Sequence, residues 1–267
     1  IMRLNSFQAK LYSSDGHPSI KVSGMYLLPA MMNHSCLRNA SRVFVGEAMV
    51  FYAARDIQIN EEITVEYCDG LLPLMMREAL LGSRFQCQCP RCEVERSVAP
   101  HLQEYSELFV TLYAEAYEEL RDMLTTGMRT SFSASERLAN AYEGVRKKTT
   151  TFNHLTKLQK QWILAGFSSA FLANWFRMGH STGFAQPSQF VTPVALELLD
   201  AMMVSVPGVE HTLTFAMMLS LVAQREDFQL SSQLFDKAKD ECVATYGKQR
   251  DDVITALAMR AAQRAPF

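Results

Sequence analysis

The chain has 267 residues, 48% of them hydrophobic and 20% charged, with a formal net charge of -2. This is the composition of an ordinary globular protein of one or two domains. A slightly acidic balance argues against wholesale binding of nucleic-acid phosphates, which needs a basic face, and no apolar run reaches the ~18 residues that cross a bilayer.

The opening Ile1-Met2-Arg3-Leu4-Asn5-Ser6 lacks the charged flank and apolar core of a secretory signal. Six cysteines without such a signal point to reduced thiols and metal ligation, not to disulfides. An intracellular protein of the cytoplasm or nucleus is expected, and the abrupt start within apparent structure reads as a fragment.

Residues 1–30 read as strand and loop, turning at Ser13-Ser14-Asp15-Gly16-His17-Pro18. Val43 to Val45 and Ala48 to Ala53 are β-prone runs separated by Gly46-Glu47, the signal of a hairpin. Next, Glu61-Glu62-Ile63-Thr64-Val65-Glu66-Tyr67 alternates as a strand does. That places Ile63, Val65 and Tyr67 on one buried face, with the tyrosine at its end. Leu71 to Leu81 predicts a short helix ahead of Gly82. The charged stretch Glu93 to Pro100 predicts a domain boundary, giving a first domain over 1–96 and a second over 97–267.

Beyond it, Leu102, Tyr105, Phe109, Leu112, Ala116, Leu120 and Met123 recur at helical spacing. Further helices are predicted near 134–149, 154–178, 190–205, 210–224, 228–246 and 250–264. Asp227 is the expected N-cap and Gly247 the expected C-cap of the helix between them. Arg146-Lys147-Lys148 reads as a solvated helix end. The overall expectation is α+β: a small β-rich domain with a cysteine knuckle, then an all-α array of tetratricopeptide type without a clean period.

Two stretches carry the chemistry. In Phe85-Gln86-Cys87-Gln88-Cys89-Pro90-Arg91-Cys92, three cysteines fall within six residues, among polar neighbours that make a poor apolar core segment. Zn²⁺ takes four soft ligands in closed structural sites. Cys87, Cys89 and Cys92 would supply three, and Cys36 is the candidate fourth, brought in by the fold. Cys68 and Cys242 stand in apolar contexts and read as inert. The second stretch, Asn33-His34-Ser35-Cys36, is ambiguous on chemistry alone: a loop-stabilising pair, or a thiol nucleophile if Cys36 is not bound to zinc.

In this order the motifs resemble the SET domain of protein-lysine methyltransferases, and most closely its SET-and-MYND (SMYD) subfamily. The similarity covers about residues 1–95, and the helices around Asp227–Ala262 resemble that subfamily's tetratricopeptide-like domain. The resemblance implies S-adenosylmethionine as methyl donor, held by Asn33, His34, Asn5 and Ala30 with Phe85 against the adenine. It also implies Tyr67 at the mouth of a lysine channel, and a structural Zn²⁺ on Cys36, Cys87, Cys89 and Cys92. It implies as partners a protein substrate offering a lysine and a protein docked on the helical domain, with neither membrane nor nucleic acid.

Three departures accompany the resemblance. The subfamily's Gly-rich cofactor loop, MYND finger and first SET strands are expected before Ile1. Ser83 stands where a second channel tyrosine is usual, and Leu37-Arg38 replaces Asp-Pro ahead of Asn39, expected to alter only loop shape. A non-catalytic SET remnant whose helices dock a partner is the rival function, and a zinc-knuckle nucleic-acid binder a distant third.

Overall fold

The computed structural model describes residues 6–12, 18–45, 48–82, 85–126 and 133–256. Strands come first. β1 (Ser6–Tyr12) and β2 (Pro18–Met25) pair antiparallel across the predicted turn, most of which lies outside the described residues. β4 (Ala40–Val45) and β5 (Ala48–Ala53) form the predicted hairpin, with Val45 opposite Ala48. The remaining pair is parallel and very short: β3 (Asn33–His34) sets Asn33 opposite Thr64 and His34 opposite Val65 of β6 (Thr64–Val65). Among the described residues these make three separate two-stranded sheets.

The strand expected up to Tyr67 stops at Val65 because side chains take over its backbone bonds. The Asn39 amide is buried, donates to Glu61 Oε1 (3.0 Å) and the Glu62 carbonyl (2.8 Å), and accepts from Thr64 N (2.8 Å). Arg42 Nη1 then donates to the Glu66 carbonyl at 3.1 Å. The alternation ends with the ladder. Val65 is 2% exposed, whereas Ile63 is 48% and Tyr67 45% exposed, so the expectation that Tyr67 lies on a buried face is corrected.

Helices follow: α1 (Leu74–Leu81), α2 (Pro90–Thr126), α3 (Ser133–Thr150), α4 (Lys157–Ala165), α5 (Ser168–Thr182), α6 (Pro193–Ser205), α7 (Glu210–Ala223) and α8 (Phe228–Tyr246). The charged stretch Glu93 to Pro100, expected at a domain boundary, lies near the start of α2. Pro90 stands in its first turn, where a missing N–H costs no helix bond. Glu95 pairs with Arg77 and Arg91, and Arg96 with Glu78. Pro100 lies inside this helix, a position that costs ~3 kcal/mol in an isolated helix. Burial of Val98, Leu102, Phe109 and Leu112 along the same helix offsets that cost.

The single helix predicted over 154–178 is two. Thr156 and Gln159 form a capping box at the start of α4. The break falls at Gly166, where an added Cβ would stand 3.2 Å from Glu95 Oε1 and 3.3 Å from Arg91 Nη2. Phe167, beside it, meets Phe109 edge to face at 6.0 Å. Asp227 accepts from Leu230 N (2.9 Å) and Gly247 closes α8, as expected. Lys147 and Lys148 stand in the last turn of α3, where cations complement the helix dipole, and Arg146 pairs with Glu143. Residues 251–256 are helical, and the rest of the predicted last helix lies outside the described residues.

Helices α2 with α3, and α7 with α8, pack as sequence neighbours, while α3 packs on α5 and α4 on α6. Their shared core includes Phe109, Tyr142, Trp175, Leu198, Phe215 and Cys242. The architecture is the expected α+β one, a small strand-built region followed by helices.

The two regions meet where α8 packs on β4 and β5. Here Gly208 is required: its φ is +74° and a Cβ would lie 2.5 Å from Ser41 Oγ. No described helix is long and apolar enough to cross a membrane.

Candidate functional site

The four cysteines assigned as ligands come together. The Sγ atoms of Cys36, Cys87, Cys89 and Cys92 all lie within 4.8 Å of one another. Cys36, Cys87 and Cys92 are buried with Leu81, and Cys68, Leu74 and Cys89 pack against them. The parallel β3–β6 pair brings Cys36 in, because it fixes the chain just before it: Ser35 N continues the pairing by donating to the Val65 carbonyl at 3.1 Å. The start of α2 brings in Cys92, with Glu93 N donating back to the Cys89 carbonyl.

The donor set fits a soft dication. A tetrahedral zinc with Zn–S bonds of ~2.3 Å places its sulfurs about 3.8 Å apart, which is within the observed separation. Mutual hydrogen bonds among the thiols lower Cys89, chiefly through Cys36, and raise Cys36, chiefly through Cys68, and Cys87, chiefly through Cys36.

Beside this cluster lies an open cavity of about 400 Å³, lined by Asn33, His34, Glu62, Tyr67, Phe85 and Gln86, with Cys87 and Cys89 in its wall. Three rings surround it: His34 to Tyr67 at 5.4 Å, His34 to Phe85 at 5.8 Å, and Tyr67 to Phe85 edge-on at 6.2 Å. Phe85 keeps 39% of its surface exposed, leaving a ring available for a flat partner. Asn33 Nδ2 donates to Glu62 Oε1 at 2.6 Å.

His34 joins cavity to cluster. Its Nδ1 accepts from Tyr67 N at 3.0 Å, so the ring proton sits on Nε2, which lies 3.2 Å from Cys36 Sγ. The Tyr67 hydroxyl donates to the Met32 carbonyl at 2.5 Å. Partial burial pushes its phenol up.

Of the other residues assigned from the sequence, Ala30 lies in the short 3₁₀ turn Pro29–Met31, with its N–H on the Tyr26 carbonyl, and is not among the cavity's lining residues. Asn5 and Ser83 lie outside the described residues.

Sequence reasoning passed over three residues. Cys68 is not an isolated core thiol, since it packs on the cysteine cluster. Arg38, expected to affect only loop shape, is 5% exposed and ties the regions together. Its Nη2 donates to the carbonyls of Pro207 and Gly208, both at 3.0 Å, and its Nη1 pairs with Glu66 at 3.1 Å. Burial pushes the Glu66 carboxyl up, against the pull of Arg38. The third, Arg77, is wholly buried in a short helix whose other charged residue is Glu78. An arginine set among Leu74, Met75, Met76 and Leu80 was the signal available.

Residues 5–68 match the family model of the SET domain. The chain is 38% identical over 74 residues to the human "Histone-lysine N-methyltransferase SMYD3", a stretch covering 27% of this chain and 17% of that protein. It is 38% identical over 95 residues to the Drosophila melanogaster "SET domain-containing protein SmydA-8, isoform A", covering 34% and 20%. It is 36% identical over 81 residues to the Gallus gallus "Protein-lysine N-trimethyltransferase SMYD5", covering 26% and 18%. The matched stretches span about a fifth of the length of these relatives. The N-terminal region thus carries a SET-domain segment similar to those of SET-and-MYND proteins.

Proposed function

We propose that this chain is the part of an S-adenosylmethionine-dependent protein-lysine N-methyltransferase that holds the donor and closes its pocket. One observation carries the reading: the β3–β6 pair sets Asn33 and His34 in the same cavity as the rings of Tyr67 and Phe85, against a four-cysteine cluster. The relatives whose names state lysine methylation support it. The cavity falls in the ~300–1,000 Å³ range of small-molecule sites.

In this reading Asn33 and His34 hold the donor, with Asn5 and Ala30 as further candidates, and Phe85 offers its exposed face to the adenine. S-adenosylmethionine supplies the activated methyl group. The substrate amine must be neutral to react, although its ordinary pKa is ~10.4. A narrow channel closed by Tyr67 would disfavour the ammonium by excluding water. The Tyr67 hydroxyl orients the amine, and its bond to the Met32 carbonyl fixes the ring. The rate comes mainly from positioning. Zinc held by Cys36, Cys87, Cys89 and Cys92 takes no part in the chemistry and fixes the segment bearing Phe85. The substrate is a protein presenting a lysine, and the helical region is the surface for a further protein partner.

The test is transfer of labelled methyl groups by the full-length protein to lysine-bearing proteins. The expected result is incorporation on lysine that falls by at least ~100-fold in Tyr67→Phe, with donor binding retained. No incorporation and no donor-induced thermal shift would overturn the enzyme reading in favour of a docking scaffold.

A further inference from the structure

Charges near the cysteine cluster do not balance among themselves. Arg77 and Arg91 are both fully buried, and both turn to a single carboxylate, Glu95. Arg91 donates to it through Nε at 3.0 Å, and its two Nη atoms have no hydrogen-bond partner. A third guanidinium, Arg96, bonds the Cys87 carbonyl with Nη2 and Glu78 with Nε. An unbalanced buried charge is expensive, and guanidinium does not shed its proton to relieve the cost. The surplus is positive, and one of the two buried guanidinium groups, that of Arg77, reaches the cysteine cluster.

Arg77 makes the facing contact. Its Nε is anchored on the Leu72 carbonyl at 2.9 Å and its Nη2 on Glu95, which leaves Nη1 aimed at Cys92 Sγ, 3.3 Å away. At another of the four cysteines, His34 Nε2 offers a second donor, to Cys36 Sγ at 3.2 Å. Four thiolates around one dication form a doubly negative centre. The buried surplus and the two N–H donors are what such a centre requires of its surroundings.

We propose that Arg77 is a positioning residue for a metal–thiolate centre, donating to Cys92 Sγ and offsetting the centre's negative charge, with His34 as the matching donor at Cys36. This rests on the reading of Cys36, Cys87, Cys89 and Cys92 as a zinc site. It also gives the helix α1, which supplies no ligand, a direct part in holding the metal.

The test uses the intact chain loaded with zinc, and again with cobalt, whose thiolate charge-transfer absorption reports on the sulfurs. Arg77→Met should weaken zinc binding about 10- to 100-fold in competition with a chromophoric chelator, and should shift the cobalt charge-transfer band. Arg77→Lys keeps the charge but not the fork, and should fall between the two. Leu81→Ala removes a buried neighbour of the cysteines that donates nothing to sulfur. It should lower the melting temperature while leaving the band in place. Were Arg77→Met insoluble, the Arg77→Lys shift alone would decide. Zinc affinity and cobalt spectra unchanged in both Arg77 variants, or a Leu81→Ala shift as large as theirs, would overturn the proposal while leaving the zinc site standing. A wild-type chain that takes up neither metal would overturn both.

Discussion

The strand-built and helical regions are held together by different physics. In the helical region a continuous cluster of buried apolar side chains, among them Phe109, Leu138, Leu198, Phe215 and Leu219, joins every described helix from α2 to α8. Among the described residues of the strand-built region the separate core cluster is four residues, three of them cysteines. The described strands form three separate two-stranded sheets, and an isolated hairpin is marginal in water. Polar links fill the gap: Asn39 in place of ladder bonds, Arg38 and Ser41 reaching the Gly208 carbonyl, and the cysteine cluster. The cavity therefore sits beside the four-cysteine cluster, in the part of the molecule tied to its neighbour by polar links, and not in the part with the large apolar core.

The sharpest way to break this contrast is to remove the metal. Cys89→Ser, or a strong chelator, should abolish zinc binding, on the order of 10 kcal/mol of coupled free energy. It should unfold the strand-built region while far-ultraviolet circular dichroism retains most of the helical signal. Cys242→Ser, within the helical core, should leave the zinc content unchanged. A helical signal lost in parallel with the metal would show the two regions to be one cooperative unit.

The converse experiment attacks the apolar core. Phe215→Ala should cost about 3–5 kcal/mol in denaturant unfolding, with unaltered metal stoichiometry. The contact between regions comes next. Arg38→Met leaves the Pro207 carbonyl without its guanidinium donor and Glu66 without its ion-pair partner. It should cost about 3 kcal/mol, seen as separation of one melting transition into two.

The smallest effect is a pH dependence at the same contact. Burial raises the Glu241 carboxyl to about 7 from an ordinary 4.5, against the N–H groups of Gly208 and Val209 and the charge of Arg38 that pull it down. Between those values the folded chain holds a proton that the unfolded chain has lost, so stability falls as pH rises from 4.5 towards 7 and then levels off. Glu241→Gln keeps an acceptor for Gly208 N and should flatten this slope. It should gain up to ~3 kcal/mol at pH 8, measured by thermal melts across the range.

How much of this was legible in the sequence follows from how local each feature is. The helices α3, α6, α7 and α8 were readable because apolar spacing and caps such as Asp227 act within a few residues. The β4–β5 hairpin was readable for the same reason, and the knuckle was readable because three ligands share six positions. The break at Gly166 was not, because the atoms that crowd it belong to Glu95 and Arg91, some seventy residues earlier. Nor was the early end of the β6 strand, because the side chains of Arg42 and His34 reach the backbone just beyond it from other segments.

By itself, then, the sequence determined the α+β division, the three-cysteine knuckle and the resemblance to SET-and-MYND proteins, all of which are written in short-range pattern. Only the tertiary structure decided that Tyr67 stands half-exposed at a cavity, that Arg38 ties the regions together and that Arg77 faces the sulfurs. The reason is physical. The state of a polar side chain is fixed by the partner it meets and the water it loses, and both come from chain that is distant in sequence.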